Sequence, residues 1–230
     1  MVNPHERLNL PDFPFEPAAL LIYGGGGHGK VIIDLVRILN CYQIVGIIDD
    51  GLPPGSQIFG LPVLGGAEVL PEMHKRGVNF AINAVGGIGN VAIRIKVFDI
   101  LAQASFICPT IVHPTAFVEP TANLEGGVQV LSQSYISSDA KIGFGTVINA
   151  GVVVSHDCSL GKCVNLSPGA MLAGKVRVED FAQIGMAATI NLDLTIGARA
   201  MIGNGATVKA DVPADGIVRA GTIWPVPKNR

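Results

Sequence analysis

The residues that most clearly could do chemistry are two neighbours, His156 and Asp157. An imidazole has an unperturbed pKa of about 6.5, so it can accept a proton near neutral pH. A carboxylate beside it can orient the ring or stabilise its charged form. The pair predicts a general-base site; the alternative is a solvated histidine at a turn with no catalytic role.

A second candidate site is the glycine-rich segment GGGGHGK, which runs from Gly24 to Lys30. It follows the apolar run LLIY and precedes a helical pattern. A glycine turn that opens a helix exposes backbone N–H groups, and these groups bind phosphate. We therefore predict a nucleotide diphosphate site here, with a purely structural tight turn as the alternative.

Two other nucleotide motifs overlap this segment. Its glycines satisfy G-x-G-x-x-G, and Asp49 lies twenty residues after the last of them, Gly29, as in dinucleotide-binding folds. NAD is thus an alternative ligand, although the domain is long enough for only half of a six-stranded dinucleotide fold. The Walker motif does not fit, because Lys30 is followed by Val31 rather than Ser or Thr.

The glycine segment belongs to an α/β pattern. The runs LLIYG, IVGIIDD, FAINAV and SFICP have the composition of short strands, and VAIRIKVFDILAQ has helical spacing. Alternating strands and helices predict a small, mostly parallel, Rossmann-like sheet covered by helices. We assign this domain to residues 18–109 and expect residues 1–17 to form an N-terminal surface arm.

His156 belongs to a different pattern, a repeat of six residues. Every sixth residue from Val112 to Val208 is Val, Leu or Ile, which gives seventeen consecutive matches. A fixed short period indicates a solenoid, and hexapeptide repeats form a parallel β-helix with three repeats per coil. We predict such a β-helix over residues 110–212, followed by a tail at 213–230.

The coil period predicts which residues are neighbours. Residues eighteen apart stack about 4.8 Å from one another, so His156 should lie between Ser138 and Gly174. The missing side chain at Gly174 would leave a gap beside the imidazole in which a ligand fits. Outward-facing residues form three columns, and one of these begins with four apolar side chains: Phe117, Tyr135, Val153 and Met171. Such a patch marks an interface, so we predict a homotrimer packed through it, with the active site at the subunit boundary.

Composition excludes several classes of function. A net charge of −2 offers no basic surface for nucleic acid. No apolar stretch approaches the roughly 20 residues of a membrane-spanning helix, and the first seventeen residues do not resemble a secretory signal. The four cysteines form no CxxC pair and the five histidines are scattered, so we expect no metal site. The predicted protein is cytoplasmic, with no membrane insertion.

The combination of IYGGGGHGK, the strand end IIDD and SHDCSLG within hexapeptide repeats resembles the bacterial sugar acyltransferases. That family includes N-acetyltransferases of nucleotide-linked amino sugars and O-acetyltransferases of sialic acid. The resemblance covers about residues 20 to 212. It implies a left-handed β-helix that binds acetyl-CoA, an N-terminal domain that binds the nucleotide-sugar, and a homotrimer with active sites between subunits.

Carried over by position, the resemblance implies His156 as the general base, Asp157 as its acidic companion and Asn149 beside the acceptor sugar. The diphosphate would lie against the glycine turn and the nucleoside near the acidic strand end, which involves Gly26, Gly27, His28, Gly29, Asp49 and Asp50.

The resemblance also implies contacts with the CoA arm or the acyl carbonyl, at positions matched by Gly174, Met186 and Asn204. Asn165 is a further candidate on the CoA side, because some family members have a second histidine there. The C-terminal residues GTIWP differ from the G-x-P-A-K that is common in the family, so contacts with the adenine end of CoA are expected to differ.

The implied reaction is direct acyl transfer, in which His156 removes a proton as the sugar nitrogen attacks the thioester. Cys158 falls at a small, inward position and is expected to be buried rather than nucleophilic. O-acetylation of sialic acid or another sugar remains an alternative, as does a trimeric nucleotide-sensing scaffold without catalysis. A hexapeptide carbonic anhydrase is disfavoured, because the repeats contain only His113 and His156 and a zinc site of that class needs three histidines.

Overall fold

The computed structural model describes residues 18–86, 89 and 91–225. The predicted N-terminal arm, residues 1–17, and the last five residues of the predicted tail, 226–230, lie outside the described residues. Among those described, no helix combines the length and the apolar character that crossing a membrane requires.

The N-terminal part is the small α/β sheet expected from the sequence. Its strand order is β3-β4-β2-β1-β5, and every pairing is parallel except that of β3 with β4. The elements, in chain order, are β1 (Ala18–Tyr23), α1 (Gly27–Leu39), β2 (Tyr42–Ile48), β3 (Gln57–Ile58), β4 (Leu61–Gly65), a 3₁₀ turn (Ala67–Val69), α2 (Leu70–Lys75), β5 (Phe80–Asn83) and α3 (Val91–Gln103).

The closing strand predicted from SFICP is reduced to a single bridge between Ile107 and Phe80. The next carbonyl along the chain, that of Cys108, accepts the amide of Gly127 and so already pairs with the β-helix. The chain has therefore left the α/β sheet before a full strand can form.

The glycine turn connects β1 to α1. Gly24 has a φ of +113°, which turns the chain sharply out of the strand, and α1 begins three residues later. The helix ends at Asn40, whose left-handed conformation (φ 51°) caps it. Ile32 and Val36 on its inner face are fully buried against the sheet. The start of α1, with its unpaired N–H groups, is thus held firmly at the end of β1.

The C-terminal part is a left-handed parallel β-helix, as expected, built from three parallel sheets that form the sides of a triangular prism. We name the sides by their outward residues. The strands of the covered face are β6 (Ile111–Val112), β9 (Gln129–Val130), β12 (Val147–Ile148), β15 (Asn165–Leu166), β18 (Gln183–Ile184), β21 (Met201–Ile202) and β23 (Ile217–Val218).

The other two sides carry exposed outward residues of different character. The strands of the apolar face are β7 (Phe117–Val118), β10 (Tyr135–Ile136), β13 (Val153–Val154), β16 (Met171–Leu172), β19 (Thr189–Ile190), β22 (Thr207–Val208) and β24 (Ile223–Trp224). Those of the polar face are β8 (Asn123–Leu124), β11 (Lys141–Ile142), β14 (Ser159–Leu160), β17 (Arg177–Val178) and β20 (Thr195–Ile196).

The hexapeptide period sets both the packing and the corners of the prism. Strands pair at a spacing of eighteen residues, as in Tyr135 with Val153, and the second residue of each strand points into a dry aliphatic core. Between Gly127 and Gly205, every sixth residue has a φ between 49° and 69°, the left-handed region. Each corner is therefore a tight turn of the same form, and Asp157 (φ 59°) occupies one of them.

The predicted end of the β-helix at residue 212 differs from the structure. Strands β23 and β24 add to the covered and apolar faces, where Ile217 pairs with Met201 and Ile223 with Thr207. These pairs are sixteen residues apart because two residues are missing from one corner. Beyond that corner the period of six resumes at Val212, Val218 and Trp224, so most of the predicted tail is a further coil.

The α/β domain lies on the lower coils of the covered face. Outward residues there are almost completely buried, with Gln129 1% and Val147 2% exposed, whereas Met201 and Ile217 higher on the same face are 44% and 68% exposed. Phe98 of α3 packs on Phe144 at a corner of the prism, with ring centroids 4.8 Å apart. The position of the α/β domain on one face fixes where its glycine turn lies relative to the coils.

Candidate active site

His156 lies at the corner where the chain passes from the apolar face to the polar face. Its Nδ1 is 2.7 Å from Oδ2 of Asp157, and both side chains are about half exposed. Because a carboxylate only accepts, it favours the tautomer with hydrogen on Nδ1 and leaves Nε2 with a lone pair. The arrangement can accept a proton at Nε2.

The Nε2 atom faces the space predicted at Gly174. A Cβ atom added to Gly174 would lie 2.6 Å from both Nε2 and Cε1 of His156, closer than packed atoms come. The structure therefore brings these two residues together as the coil period indicates. Any residue other than glycine at this position would displace the imidazole or block the space in front of Nε2.

Cys158 follows in the same corner, but it points into the core. Its side chain is 1% exposed, and its Sγ donates to the carbonyl of Ala173 at 3.2 Å. Burial raises the pKa of the Cys158 thiol to about 11, so the nucleophilic thiolate is disfavoured. The geometry agrees with direct transfer rather than with an acyl-cysteine intermediate.

The glycines of the turn differ in the space beside them. Cβ atoms added to Gly26 or Gly27 would meet nothing within 4 Å, and both residues are exposed. A Cβ atom at Gly29 would overlap the carbonyl oxygen of Gly24, and one at Gly25 would clash with the side chain of Ile58. The open positions lie at the positive end of α1, where a phosphate group would be favourable.

The acidic strand end supports this turn. Asp49 accepts the amide of Gly25 at 2.7 Å on one oxygen and that of Gly51 at 2.9 Å on the other. Asp50 accepts the hydroxyl of Tyr23 at 2.7 Å. Burial and this carboxylate raise the pKa of Tyr23. Both acids therefore hold the loops of the site in position, and their contact with a nucleoside remains a prediction.

His28 is bound from the β-helix. Its Nε2 is 2.7 Å from Oε1 of Gln129, and Nε2 of Gln129 donates to the carbonyl of Asn83 at 2.7 Å. Burial lowers the pKa of His28; the hydrogen bond to Gln129 acts in the opposite direction, and the positive charge of Arg94 lowers the pKa a little further. Sequence reasoning missed Gln129, whose only signal is a polar residue in a column where its neighbours Ile111 and Val147 are apolar.

Arg94 of α3 was also missed, since it reads as a solvated residue of an amphipathic helix. Its side chain is 1% exposed and donates to the carbonyls of Val85 at 2.7 Å, Asn83 at 3.1 Å and Gly145 at 3.1 Å. Burial lowers its pKa to about 10. The guanidinium thus ties the end of β5 to a corner of the prism.

The remaining candidates lie elsewhere on the β-helix. Asn149, Met186 and Asn204 occupy the corner between the covered and apolar faces, where the backbone amide of Met186 donates to Oδ1 of Asn204 at 2.9 Å. Asn165 is buried on the covered face, and its Nδ2 donates to Oγ of Ser167 at 3.2 Å. Within one chain the structure does not bring Asn165 to the corner of His156.

The candidate residues therefore occupy three separate places on one chain. The glycine turn and Asn165 are on the covered face, and two corners carry the other residues. Both corners border the apolar face, and the corner of His156 is the edge of the prism opposite the covered face. Among residues 18–86, 89 and 91–225, no group of three or more His, Cys, Asp or Glu side chains could hold a metal ion.

Known proteins share both parts of this architecture. Residues 19–101 match the model of the PglD N-terminal domain. The chain is 34% identical to GDP-perosamine N-acetyltransferase of Escherichia coli O157:H7, over 77% of this chain and 82% of that protein.

Solved structures of acetyltransferases have the same fold. Perosamine N-acetyltransferase from Caulobacter crescentus, crystallised as a histidine-to-asparagine variant with CoA and GDP-perosamine, superposes with a TM-score of 0.84 at 31% identity, covering 94% of this chain and 99% of that one. The acetyltransferase domain of PglB from Neisseria gonorrhoeae, in complex with acetyl coenzyme A, superposes with a TM-score of 0.79 at 29% identity. The match covers 90% of this chain and 98% of that one. With this identity and coverage, the chain belongs to the hexapeptide-repeat family of sugar N-acyltransferases.

Proposed function

We propose that this protein transfers the acetyl group of acetyl-CoA to the amino group of a nucleotide-linked amino-deoxy sugar. The observation that carries the proposal is the corner of His156, where a carboxylate-bound imidazole presents Nε2 to the space left by Gly174. Similar chains were crystallised with CoA, GDP-perosamine or acetyl coenzyme A. A GDP-linked sugar, with GDP-perosamine as first candidate, is therefore the acceptor to test.

The chemistry follows from this geometry. The neutral sugar amine attacks the thioester carbonyl carbon, and Nε2 of His156 accepts a proton from the nitrogen. Asp157 stabilises the imidazolium that forms. Collapse of the tetrahedral intermediate breaks the carbon–sulfur bond, and the CoA sulfur leaves with a proton. Backbone N–H groups, for which Gly174 is the nearest candidate, would stabilise the oxyanion.

The acceptor is proposed to lie at the N-terminal domain, with its diphosphate against Gly26, Gly27, His28 and Gly29. Asp49 and Asp50 would border the nucleoside. The open positions at Gly26 and Gly27 support this placement, because a side chain there would occupy the space of the phosphate. The relatives favour a nucleotide-sugar over NAD as the ligand of this turn.

We further propose a homotrimer whose active sites are shared between subunits. In one chain, the glycine turn and His156 lie on opposite sides of the prism, so a single copy cannot bring them to one substrate. The apolar face lies between the two corners that carry the other candidates and exposes 51% of Met171. Packing through it would set Asn149, Met186 and Asn204 of one copy beside His156 and Gly174 of the next.

The function is tested by incubating the purified protein with acetyl-CoA and a panel of GDP-, UDP-, dTDP- and CMP-linked amino sugars. We expect thiol release with a GDP-linked sugar, and a product heavier by one acetyl group that resists mild alkali, because an amide survives conditions that cleave an ester. An alkali-labile product would indicate O-acetylation. Nucleotide-sugar binding without any binding of CoA esters would indicate a sensor.

The assembly is tested by sedimentation and by Met171→Asp, which puts a charge in the middle of the apolar face. We expect a wild-type trimer and a variant that loses both assembly and activity. Lys141→Asp on the polar face is the matched control and should stay trimeric. A wild-type monomer, or an active monomeric Met171→Asp variant, would refute the shared site.

A further inference from the structure

The contact between the β-helix and the glycine turn fixes more than the relative position of the two parts. Gln129 uses both ends of its amide, since Nε2 donates to the carbonyl of Asn83 and Oε1 meets Nε2 of His28. A carbonyl can only accept, so the amide nitrogen must face Asn83 and the amide oxygen must face the imidazole. His28 must therefore carry hydrogen on Nε2.

The second ring nitrogen of His28 is the one that remains available. Nδ1 is bonded to Cγ and so lies nearer to the backbone of the turn than Nε2 does. It has no hydrogen-bond partner among the described residues. In the neutral ring, Nδ1 is an acceptor and would repel a phosphate oxygen. In the imidazolium it is a donor and would bind one.

On balance the groups around His28 lower its pKa in the free protein, although the hydrogen bond to Gln129 alone favours the protonated ring. Arg94 on α3 is cationic, Gln129 from the β-helix and Asn83 from β5 are uncharged, and burial disfavours the imidazolium. At the end of β2, the carboxylate of Asp49 is bound by two backbone amides of its own loops. On α1 itself, Lys30 is exposed and adds positive charge.

We propose that Gln129 is a positioning residue of the nucleotide-sugar site. It holds His28 with Nε2 as donor, so that Nδ1 takes up one proton from solvent when an anionic diphosphate binds at the glycine turn. This inference rests on the proposed function, because it assumes that the turn binds a diphosphate. Under this proposal, binding of the diphosphate is coupled to the uptake of one proton. Gln129, a residue of the β-helix, controls that uptake although the diphosphate binds at the α/β domain.

Proton uptake fixes the direction of the pH dependence. A complex that holds one more proton than the free components weakens as pH rises, by up to tenfold per unit between the free and bound pKa values of the group. Acceptor binding should therefore be tightest on the acidic side. The proton-accepting step at His156 requires a neutral imidazole and has the opposite dependence.

The test is calorimetric titration of the wild-type protein with GDP-mannose, a GDP-hexose in which both phosphates are esterified and have no proton to exchange near neutral pH. Titrations at about pH 7.5 in buffers of different ionisation enthalpy give the number of protons taken up from the slope of the observed enthalpy. We expect a slope that approaches one proton per site. Measured binding with a slope of zero would overturn the inference and leave the proposed function intact.

Two variants identify the group. His28→Gln should still bind, but about tenfold more weakly, because a charge-assisted hydrogen bond is lost. The variant should take up no proton, because glutamine does not titrate. Gln129→Glu places a carboxylate against Nε2, which keeps His28 charged before binding, so uptake should also disappear. His156→Asn is the control for the other histidine and should leave the slope unchanged. Uptake that persists in His28→Gln would overturn the assignment, and failure of any nucleotide-sugar to bind the wild type would overturn the proposed function with it.

Discussion

The glycine turn and the corner of the prism each hold one histidine, and the two rings are bound at opposite nitrogens. His156 is bound at Nδ1 by the next residue in the chain, Asp157, while His28 is bound at Nε2 by Gln129, 101 residues away. Nδ1 lies close to the backbone, where a sequence neighbour reaches it. Nε2 is at the far end of the ring, where only a distant element does.

This difference decides which nitrogen each site offers to a substrate. His156 keeps Nε2, the outer nitrogen, which faces the gap at Gly174 and can reach a reacting atom. His28 keeps Nδ1, the inner nitrogen, which is the nearer of the two to the backbone of its own turn. An outer nitrogen suits proton transfer and an inner one suits anchoring, so the two histidines can serve different steps of one reaction.

The largest expected effect comes from removing the outer nitrogen that acts as base. His156→Asn should lower kcat by about 10²–10⁴-fold, the usual contribution of general-base catalysis. Binding of acetyl-CoA should change little, because a corner side chain that is half exposed adds little to the core. Steady-state kinetics together with acetyl-CoA titration test this, and a variant with turnover near that of wild type would contradict the assignment.

The next effect keeps the histidine but moves it. In Gly174→Ala the new methyl group would lie 2.6 Å from Nε2, so the ring must shift, and kcat should fall by up to about a hundredfold. Gly126→Ala is a matched control, since its Cβ atom would lie 3.5 Å from the nearest non-adjacent atom, the carbonyl oxygen of Cys108, and its φ is not left-handed. Equal kcat values for the two variants would show that the gap beside His156 has no role.

A smaller effect is expected at the glycine turn, where two substitutions should separate binding from folding. Gly27→Val enters open space, so the fold should be kept while KM for the nucleotide-sugar rises about tenfold and KM for acetyl-CoA is unchanged. Gly29→Ala would collide with the carbonyl of Gly24 and should lower the melting temperature. If Gly27→Val left both KM values unchanged, the turn would be purely structural.

The smallest effect concerns stability and pH. Burial lowers the pKa of His28 in the folded state, so the unfolded chain binds a proton more readily than the folded one. The contribution of His28 to stability is therefore present above the unfolded pKa, about 6.5, and is lost progressively as pH falls below it. Thermal unfolding between about pH 8 and 5 should depend less on pH in His28→Gln than in wild type; identical curves would contradict this.

The difference between contacts within one element and contacts from a distant element also explains how much of the site the sequence could predict. The six-residue period fixes the coil register, and with it the contact of Gly174 with His156, because both follow from counting along one regular element. Asp157 follows His156 directly in the sequence, so this pair could be recognised without any knowledge of the fold. Gln129 and Arg94 could not be recognised, since their contacts depend on how the α/β domain sits on the covered face, and no repeat describes that interface.

The final coil was missed for a related reason. A deletion of two residues shifts the phase of the repeat, so counting in steps of six from Val112 fails after Val208. The aliphatic positions continue in the new phase at Val212 and Val218, both 2% exposed. A search that allows the phase to slip at a corner would have found them.

The placement of His156 on the edge of the prism opposite the covered face has a genetic consequence. If every site takes its glycine turn from one copy and its base from the next, a chain with a defective turn and a chain with a defective base can complement each other. In a cyclic trimer that mixes His156→Asn with Gly27→Val subunits, whichever is in the majority, one of the three boundaries joins an intact turn to an intact histidine. At acceptor concentrations far below KM, co-expression of the two defective alleles should therefore restore one fully functional site of the three in every mixed assembly.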